Sequence, residues 1–433
     1  KYNILIDCGL FQGNESERKL NKLKQLPFRP SELDAILLTH GHLDHCGYLP
    51  VVVRKGYAGA IYATAPTRDI TEIILQDSAK LQKEAAAEKN RNRTEDQKRK
   101  KPLYRKRHVR QTIELFKTCD HNEWTELNPD VKFRFVKSGH ILGSASIELV
   151  CEGTTFFFSG DIGQRAPLIL APPSRITAAD YLIMESTYGN KLHDLAVSPY
   201  QAMQDVVTNA FEKGGSVVIP SFAVERAQEI ILLLNNLMAE KSIPEVPIYL
   251  DTPMGINVTE LFQKHRSWHT LSDTECDNLT RNVHIIRSFA ETQQVLDENG
   301  PKTKIIIAGS GMATGGRVLY YLKQLVHDSK NTVLLVGYQS EGTRGHQMAT
   351  GQATIEIDGE QLEVKAEIVQ IGSLSAHGDQ NDLLWWLGNL QEAPRQIFLN
   401  HGEPDAAATL QAKVEELKNW PVTIAQMHEP YQL

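Results

Sequence analysis

The sequence predicts an α/β protein of two domains, the second inserted into the first, and three observations predict it. Short β-branched or apolar runs alternate with longer amphipathic stretches along the whole chain, the pattern of strands joined through helices. The chain has 433 residues, beyond the roughly 250–300 at which a single core stops growing. The alternation also restarts near Ser198 with a new series of helices and strands, as a doubly wound domain requires.

The elements follow in order. NILID, AILLTH, FRFV, SIELV, TTFFFSGD and YLIMES read as strands, with helices around Thr67 to Ala87 and Val109 to Phe116. In the second series VVTNAFEKGG, AQEIILLLNNLM and VLYYLKQLV read as helices, and SVVIPS, IYLD, KIIIAGSG and TVLLVGY as strands. After Gly351 come the strands EIVQIGS, QIFLNHG and VTIAQM with two helices, a stretch too short to stand alone and expected to return to the first domain. The boundaries are thus 1–190, 191–350 and 351–433. A strand at Tyr2 to Ile6 starts almost at residue 1, so the natural chain is expected to begin before Lys1.

Composition excludes several classes. Hydrophobic residues make up 41% and charged ones 23%, ordinary globular values. No apolar run approaches the roughly 18 residues that span a bilayer, so no membrane partner is expected. Cys8, Cys46, Cys119, Cys151 and Cys276 lie far apart without a CxxC pair, which argues against a disulfide framework or a thiolate metal site. Reduced thiols and no visible secretory signal point to the cytoplasm. The net charge of −7 speaks against a polyanion partner in bulk, but Lys89 to Arg110 is strongly basic, interrupted only by Glu95 and Asp96. That stretch reads either as a solvated helix and loop or as a positive rim that guides RNA.

The chemistry lies in a histidine and carboxylate constellation. After the strand ending Leu37-Leu38-Thr39 comes His40-Gly41-His42-Leu43-Asp44-His45. In an extended loop His40 and His42 point to one side, while Asp44 and His45 begin the next helix. His140 in SGHILGSAS, Asp161 in FFFSGD and His401 in FLNHGEP complete the set. Each follows a strand's C-terminal end, where open α/β sheets place ligands. Imidazole and carboxylate donors suit zinc, and a catalytic site keeps a position open for water.

HxHxDH with a downstream GH, an SGD after a strand and a late strand-end histidine resembles the metallo-β-lactamase superfamily over nearly the whole chain. MESTYG around Glu185, SLSAHGD around His377 and NHGEP around His401 are similar to the three added motifs of the β-CASP nucleases. The resemblance implies an αββα sandwich carrying an inserted doubly wound β-CASP domain. It implies two Zn2+ per chain: His40, His42 and His140 on one, Asp44, His45 and His401 on the other, and Asp161 bridging. Asp7 in LIDCG matches the family's first motif and is expected to orient the site by hydrogen bonds rather than to ligate.

The reaction follows from that assignment. Two zinc ions about 3.5–4 Å apart can lower the pKa of a water toward 7 and neutralise charge on a phosphoryl group. The resemblance further implies that His377, matching a family histidine beside the scissile phosphate, protonates the leaving 3′-oxygen, with Glu185 orienting it, leaving 5′-phosphate and 3′-hydroxyl ends. In IIIAGSGMATGG a strand enters a glycine loop before a helix, so free N–H groups could cradle a phosphate. Ser221 and Arg226 of PSFAVER are similar to family residues that contact substrate phosphates, and the resemblance adds Ser310 and Gly311 of the glycine loop as expected contacts. A strand-end Ser and an early-helix Arg are also ordinary capping and surface choices. A dinucleotide fingerprint is a weaker reading, because no acidic residue follows at the expected spacing.

In the family, histidine at the third motif goes with RNA-acting members, so single-stranded RNA is the expected partner. The short C-terminal portion favours an endonuclease over a 5′-to-3′ exoribonuclease of the same family. Two readings from other classes stay open: a catalytically silent RNA-processing scaffold, against which stands the complete donor set, and a small-molecule zinc hydrolase, which would need a closed pocket. The sequence is compatible with a homodimer and names no protein partner.

Overall fold

The computed structural model describes residues 2–11, 15–22, 26–91, 93–94, 98–193, 198–222, 224–297, 300–337 and 339–433. Glu95 and Asp96 of the basic stretch and Ala223 of PSFAVER lie outside the described residues. The chain divides into two compact units, 1–192 with 377–433, and 193–376.

The first unit opens with β1 (Ile4–Ile6), β2 (Ala35–Leu37), β3 (Ala60–Ala63) and β4 (Phe116–Thr118). These form an all-parallel sheet in the order β1-β2-β3-β4. Then follow β5 (Thr125–Asn128), β6 (Val131–Lys137), β7 (Ala145–Cys151), β8 (Thr154–Phe158) and β9 (Tyr181–Glu185). The second unit supplies β10 (Val217–Pro220), β11 (Ile248–Asp251), β12 (Val283–Ile285), β13 (Ile305–Ala308), β14 (Thr332–Val336), β15 (Thr354–Ile357), β16 (Glu360–Glu363) and β17 (Glu367–Ile371). The chain returns to the first unit for β18 (Gln396–Asn400) and β19 (Val422–Ile424), giving a seven-stranded sheet β19-β18-β9-β8-β7-β6-β5.

Strand alternation builds the layers of the first unit. Leu37, Ile4 and Ile6 from one sheet join Phe133, Phe135, Ile147, Phe156 and Phe158 from the other in a shared inner core. Their neighbours face outward onto helices. Ile36 and Ile61 pack with the segments 43–54, 65–91 and 104–113, while Phe157, Met184 and Leu399 pack with the helices Gln380–Leu387 and Pro404–Lys418. Burying each such side chain contributes about 1.5–3 kcal/mol. The result is the αββα sandwich. β4 takes Phe116 out of the helix that the sequence suggested, because Phe116 pairs with Ile61 and the helix ends at Ile113.

The second unit is a six-stranded parallel sheet β12-β11-β13-β10-β14-β17 beside a β15-β16 hairpin. Its first helix, Pro199–Lys213, is capped at both ends, with Ser198 accepting from Gln201 N–H at one and left-handed Gly214 at the other, each satisfying end groups that a helix leaves open. Here the structure departs from the expected boundary at 351. β17 pairs with β14 along five residues, Thr332 to Val336 against Glu367 to Ile371, so the second unit runs on to Ala376. All five cysteines are free. Among the described residues no helix is long and apolar enough to cross a membrane.

Candidate metal centre and active site

Strand direction gathers the candidate residues. β6 and β8 both run antiparallel to β7, and β8, β9 and β18 are mutually parallel. The residues that follow β6, β8 and β18, and the last residue of β9, therefore emerge at one edge: His140, Asp161, His401 and Glu185. The parallel first sheet delivers Asp7 after β1 and His40 after β2 at its own C-terminal edge.

Each loop has a local cause. His42 is extended (φ −66°, ψ 151°) and caps the short helix Leu43–Cys46, which carries Asp44 in its first turn and His45 in its last. An acidic group there suits the positive helix end. Residues 8–10 clamp this turn through Cys8 N–H to His45 O (2.6 Å) and Leu10 N–H to Leu43 O (3.0 Å). Gly9 permits the approach, since a Cβ there would stand 1.4 Å from Asp44 O. In the His140 loop Ser144 Oγ accepts from His140 N–H (3.0 Å) and Ile141 N–H (3.1 Å). Glycines 139 and 143 there adopt positive φ. His401 itself has φ 49°, and Thr187 Oγ1 donates to its carbonyl at 2.9 Å.

Asp161, buried, lies at the centre. Its Oδ2 lies 3.5 Å from His40 Nε2 and 3.3 Å from His140 Nε2. Its Oδ1 lies 3.3 Å from His45 Nε2 and 3.4 Å from His401 Nδ1. The two oxygens thus face two different sets of imidazoles. In the first set His42 Nδ1 is 3.1 Å from both His40 Nε2 and His140 Nε2. In the second, His45 Nε2 is 3.2 Å from His401 Nε2, which is 3.4 Å from Asp44 Oδ2.

These spacings fit a metal ion. Tetrahedral bonds of about 2.0–2.1 Å place ligand atoms about 3.3–3.4 Å apart, and His42 Nδ1 meets two imidazole nitrogens at once, a convergence that one shared ion satisfies together. Burial holds His40 well below the ordinary histidine value and lowers His42 to about 4, leaving neutral nitrogens that can ligate. Burial also penalises the charged form of Asp161, but His401, His45 and His40 outweigh it and hold the carboxyl well below its usual range. Asp161 Oδ1 is buried with no hydrogen-bond partner among the described residues, the atom an ion would satisfy. His45 and His401 move the other way. Burial opposes their charge, yet Asp161 above all raises His45 well above its ordinary value and His401 to about 9.

Asp7 binds from outside the cluster. It accepts from Thr39 N–H (2.8 Å) and Thr39 Oγ1–H (2.7 Å), and its Oδ2 lies 2.7 Å from His45 Nδ1. That bond fixes the ring so that Nε2 faces Asp161. Glu185, also buried, accepts from Ile162 N–H at 2.5 Å and holds His377 Nδ1 at 3.2 Å from each oxygen. His377 Nε2 then points to within 3.9 Å of Asp161 Oδ2. Asp161, Glu185 and His401 can also be grouped as metal donors, but Glu185 is already engaged by Ile162 and His377.

Thr39, Ser144 and Thr187 were not singled out from sequence. Thr39 immediately precedes HxHxDH and Thr187 lies inside MESTYG, yet hydroxyls are too common for position alone to mark them.

The expected phosphate contacts belong to the second unit. Ser221 and Ser310 follow the neighbouring strands β10 and β13, where Pro220 pairs with Ala308. A Cβ on Gly311 would stand 2.6 Å from the Phe222 ring, so the two loops touch. The expected cradle of free N–H groups is largely closed. Ser310 Oγ accepts from Thr314 N–H (3.1 Å) and Gly315 N–H (3.3 Å), while Ser310 and Ala313 N–H donate within the same loop and Val318 N–H donates to Gly309 O. Arg226 is buried and paired with buried Glu229 on its own helix. Tight turn geometry consumes the N–H groups of Ser310, Ala313, Thr314 and Gly315.

Known proteins agree with this architecture. The metallo-beta-lactamase superfamily matches residues 1–221, the Beta-Casp domain 227–348, and the Zn-dependent metallo-hydrolase RNA specificity domain 361–425. Ribonuclease TTHA0252 of Thermus thermophilus is 33% identical, across 98% of this chain and 93% of its own length. An RNase J-like protein of Methanocaldococcus jannaschii is 32% identical across 93% of this chain and 87% of its own. Transcription termination factor FttA of Pyrococcus horikoshii is 33% identical across 90% of this chain, which spans 60% of that relative. A crystal structure of a protein of unknown function from Enterococcus faecalis V583 shares the fold at TM-score 0.50 and 11% identity, across 91% of this chain and 80% of that one. The chain belongs to the β-CASP ribonuclease family of the metallo-β-lactamase superfamily, a family of metal-dependent hydrolases.

Proposed function

We propose that this protein is a zinc-dependent ribonuclease that cuts single-stranded RNA internally and leaves 5′-phosphate and 3′-hydroxyl ends. The observation that carries the reading is Asp161, whose two oxygens face the His40/His42/His140 set and the Asp44/His45/His401 set at 3.3–3.5 Å from their nearest nitrogens. Each set would hold one Zn2+, with Asp161 shared. When bound, zinc supplies a lowered pKa for water and neutralises charge on the phosphoryl group.

The remaining steps fall to the protein. His377 accepts or gives its proton at Nε2, the nitrogen turned toward Asp161. Burial disfavours its charged form, but Glu185 outweighs that and raises His377 above the ordinary histidine value, so it can carry a proton to the leaving 3′-oxygen. As the phosphorus–O3′ bond breaks, water adds to phosphorus and the phosphate stays on the downstream 5′-oxygen. Glu185 keeps the ring in one orientation, and the Ile162 N–H holds Glu185 beside Asp161. Asp7 positions His45 and Thr39. The names of the ribonuclease relatives support RNA, and product size decides between internal cutting and 5′-to-3′ trimming. The complete donor set argues against a silent scaffold.

The test is cleavage of single-stranded RNA, labelled at the 5′ end or internally, with a matching DNA beside it. Internal fragments bearing 5′-phosphates, absent with DNA, are expected. Mononucleotides appearing first would replace internal cutting by exonucleolytic trimming, and no cleavage by zinc-loaded protein would overturn the reading.

A further inference from the structure

The geometry points to a second RNA-binding surface on the first unit: a basic ridge, distinct from the metal cluster, that takes the sugar–phosphate backbone of the RNA beyond the scissile bond. The inference rests on the ribonuclease reading for its ligand. Eleven basic residues against two acidic ones lie between Lys89 and Arg110, within a chain of net charge −7. Charge alone would describe a solvated face, but this stretch is built.

The helix Ala65–Arg91 starts at the metal loops. Thr64 and Thr67 hydroxyls both donate to Gly143 O (2.6 and 2.9 Å), three residues after His140. From there the helix runs 27 residues, about 40 Å at 1.5 Å per residue. Residues 100–104 lie back along the helix. Asn90 Nδ2 donates to Lys100 O (3.0 Å) and its Oδ1 accepts from Lys100 N–H (2.8 Å). Gln82 Oε1 accepts from Leu103 N–H (2.9 Å), and the fully buried Tyr104 donates to Ser78 Oγ (2.7 Å).

The return segment thus lays Lys98, Arg99, Lys100 and Lys101 beside Lys89 and Arg91, all six exposed. Among the described residues none of the six forms an ion pair, although Glu84 and Glu88 are exposed on the same helix. Like charges held close repel one another. Here specific backbone bonds fix them in place, and the matching ligand is a chain of regularly spaced phosphates. Lysine and arginine on a ridge meet phosphates without reading bases, so the grip is indifferent to sequence. At about 3.4 Å per stacked nucleotide, a strand needs about 12 nucleotides to extend from the metal loops to the ridge.

The experiment compares the full chain with the variant K98A/R99A/K100A/K101A. Lys100 holds Asn90 through its backbone, so the truncations leave the anchor in place, and circular dichroism checks the fold. Binding of a 30-nucleotide RNA is measured by fluorescence anisotropy across salt concentrations, and cleavage of the 30-mer and a hexanucleotide is followed in parallel. The slope of log K against log salt should fall by about 0.7 for each phosphate no longer neutralised, approaching 3 when all four side chains had each met one. KM for the 30-mer should rise about tenfold or more, with kcat and hexanucleotide cleavage unchanged. An unchanged salt slope overturns the ridge. If neither protein cleaves RNA but the slope still falls, the ridge stands and the nuclease reading fails. Unchanged RNA binding with lost binding to phosphatidylserine vesicles would assign the ridge to a membrane surface and overturn the proposal.

Discussion

The strand-end loops of the two units make opposite use of their polar atoms. In the first unit ring nitrogens of His40, His42 and His140 converge with a carboxylate oxygen of Asp161, all within 4.8 Å of one another, so that three imidazoles and an acid share one point. In the second unit the glycine loop turns inward, with Ser310 Oγ bonded to Thr314 and Gly315, and Arg226 closes on Glu229. A site built for a ligand leaves matched donor atoms aimed at a shared point, whereas a loop built for its own turn satisfies them internally. By that criterion the first unit carries the chemistry, and a glycine-rich strand-to-helix turn is weak evidence of a phosphate cradle.

Substitutions can break this comparison. Asp161→Ala removes the atom pair shared by both sets. Losing several kcal/mol of metal-derived stabilisation predicts a fall in RNA cleavage of roughly 10⁴-fold, measured in single-turnover assays. His377→Ala should cost about 10²–10⁴-fold in kcat, the range for a lost general acid, while elemental analysis shows zinc retained. If zinc is lost as well, His377 belongs to the metal sets and its proton role is wrong.

The second unit should respond in stability instead. Arg226→Ala strands Glu229 in a buried site, where burial, opposed by Arg226, already raises the carboxyl above its usual range. About 3 kcal/mol of stability should go, seen as a lower urea midpoint, with per-molecule zinc content unchanged. A normal midpoint with weakened RNA binding would make Arg226 a phosphate contact after all. Asp7→Ala should cost about 10–100-fold in metal affinity or activity, because His45 loses the bond that aims it. Ser310→Ala removes hydroxyl bonds within one loop and should cost about 1 kcal/mol of stability, with cleavage changed less than about threefold. A larger loss of cleavage there would return the glycine loop to the substrate.

Much of the fold and the convergence of the candidate ligands was legible in the sequence because both depend on residue order. Apolar runs leading to His40, Asp161 and His401 mark a strand and the residue at its tip; parallel pairing through β9 gathers Asp161 and His401, and packing of the two sheets brings His40 to them. The end of the inserted unit was not legible in this way. EIVQIGS reads as a buried strand whichever sheet takes it, and only its pairing with Thr332–Val336 assigns it to the second unit. Arg226 and the glycine loop show a related limit of residue order: their residue types fit phosphate, but whether a donor is free depends on neighbours such as Glu229 and Thr314. The basic stretch reads two ways from sequence, and the Asn90–Lys100 bonds add that its backbone is anchored.

The central claim is that Asp161 joins two metal sites, and zinc titration of chelator-stripped protein followed by elemental analysis tests it most directly. Two zinc ions per chain are expected at saturation for the wild type, falling to one in His401→Ala and below two in Asp161→Ala. A plateau at one in the wild type, or at two without Asp161, would contradict it.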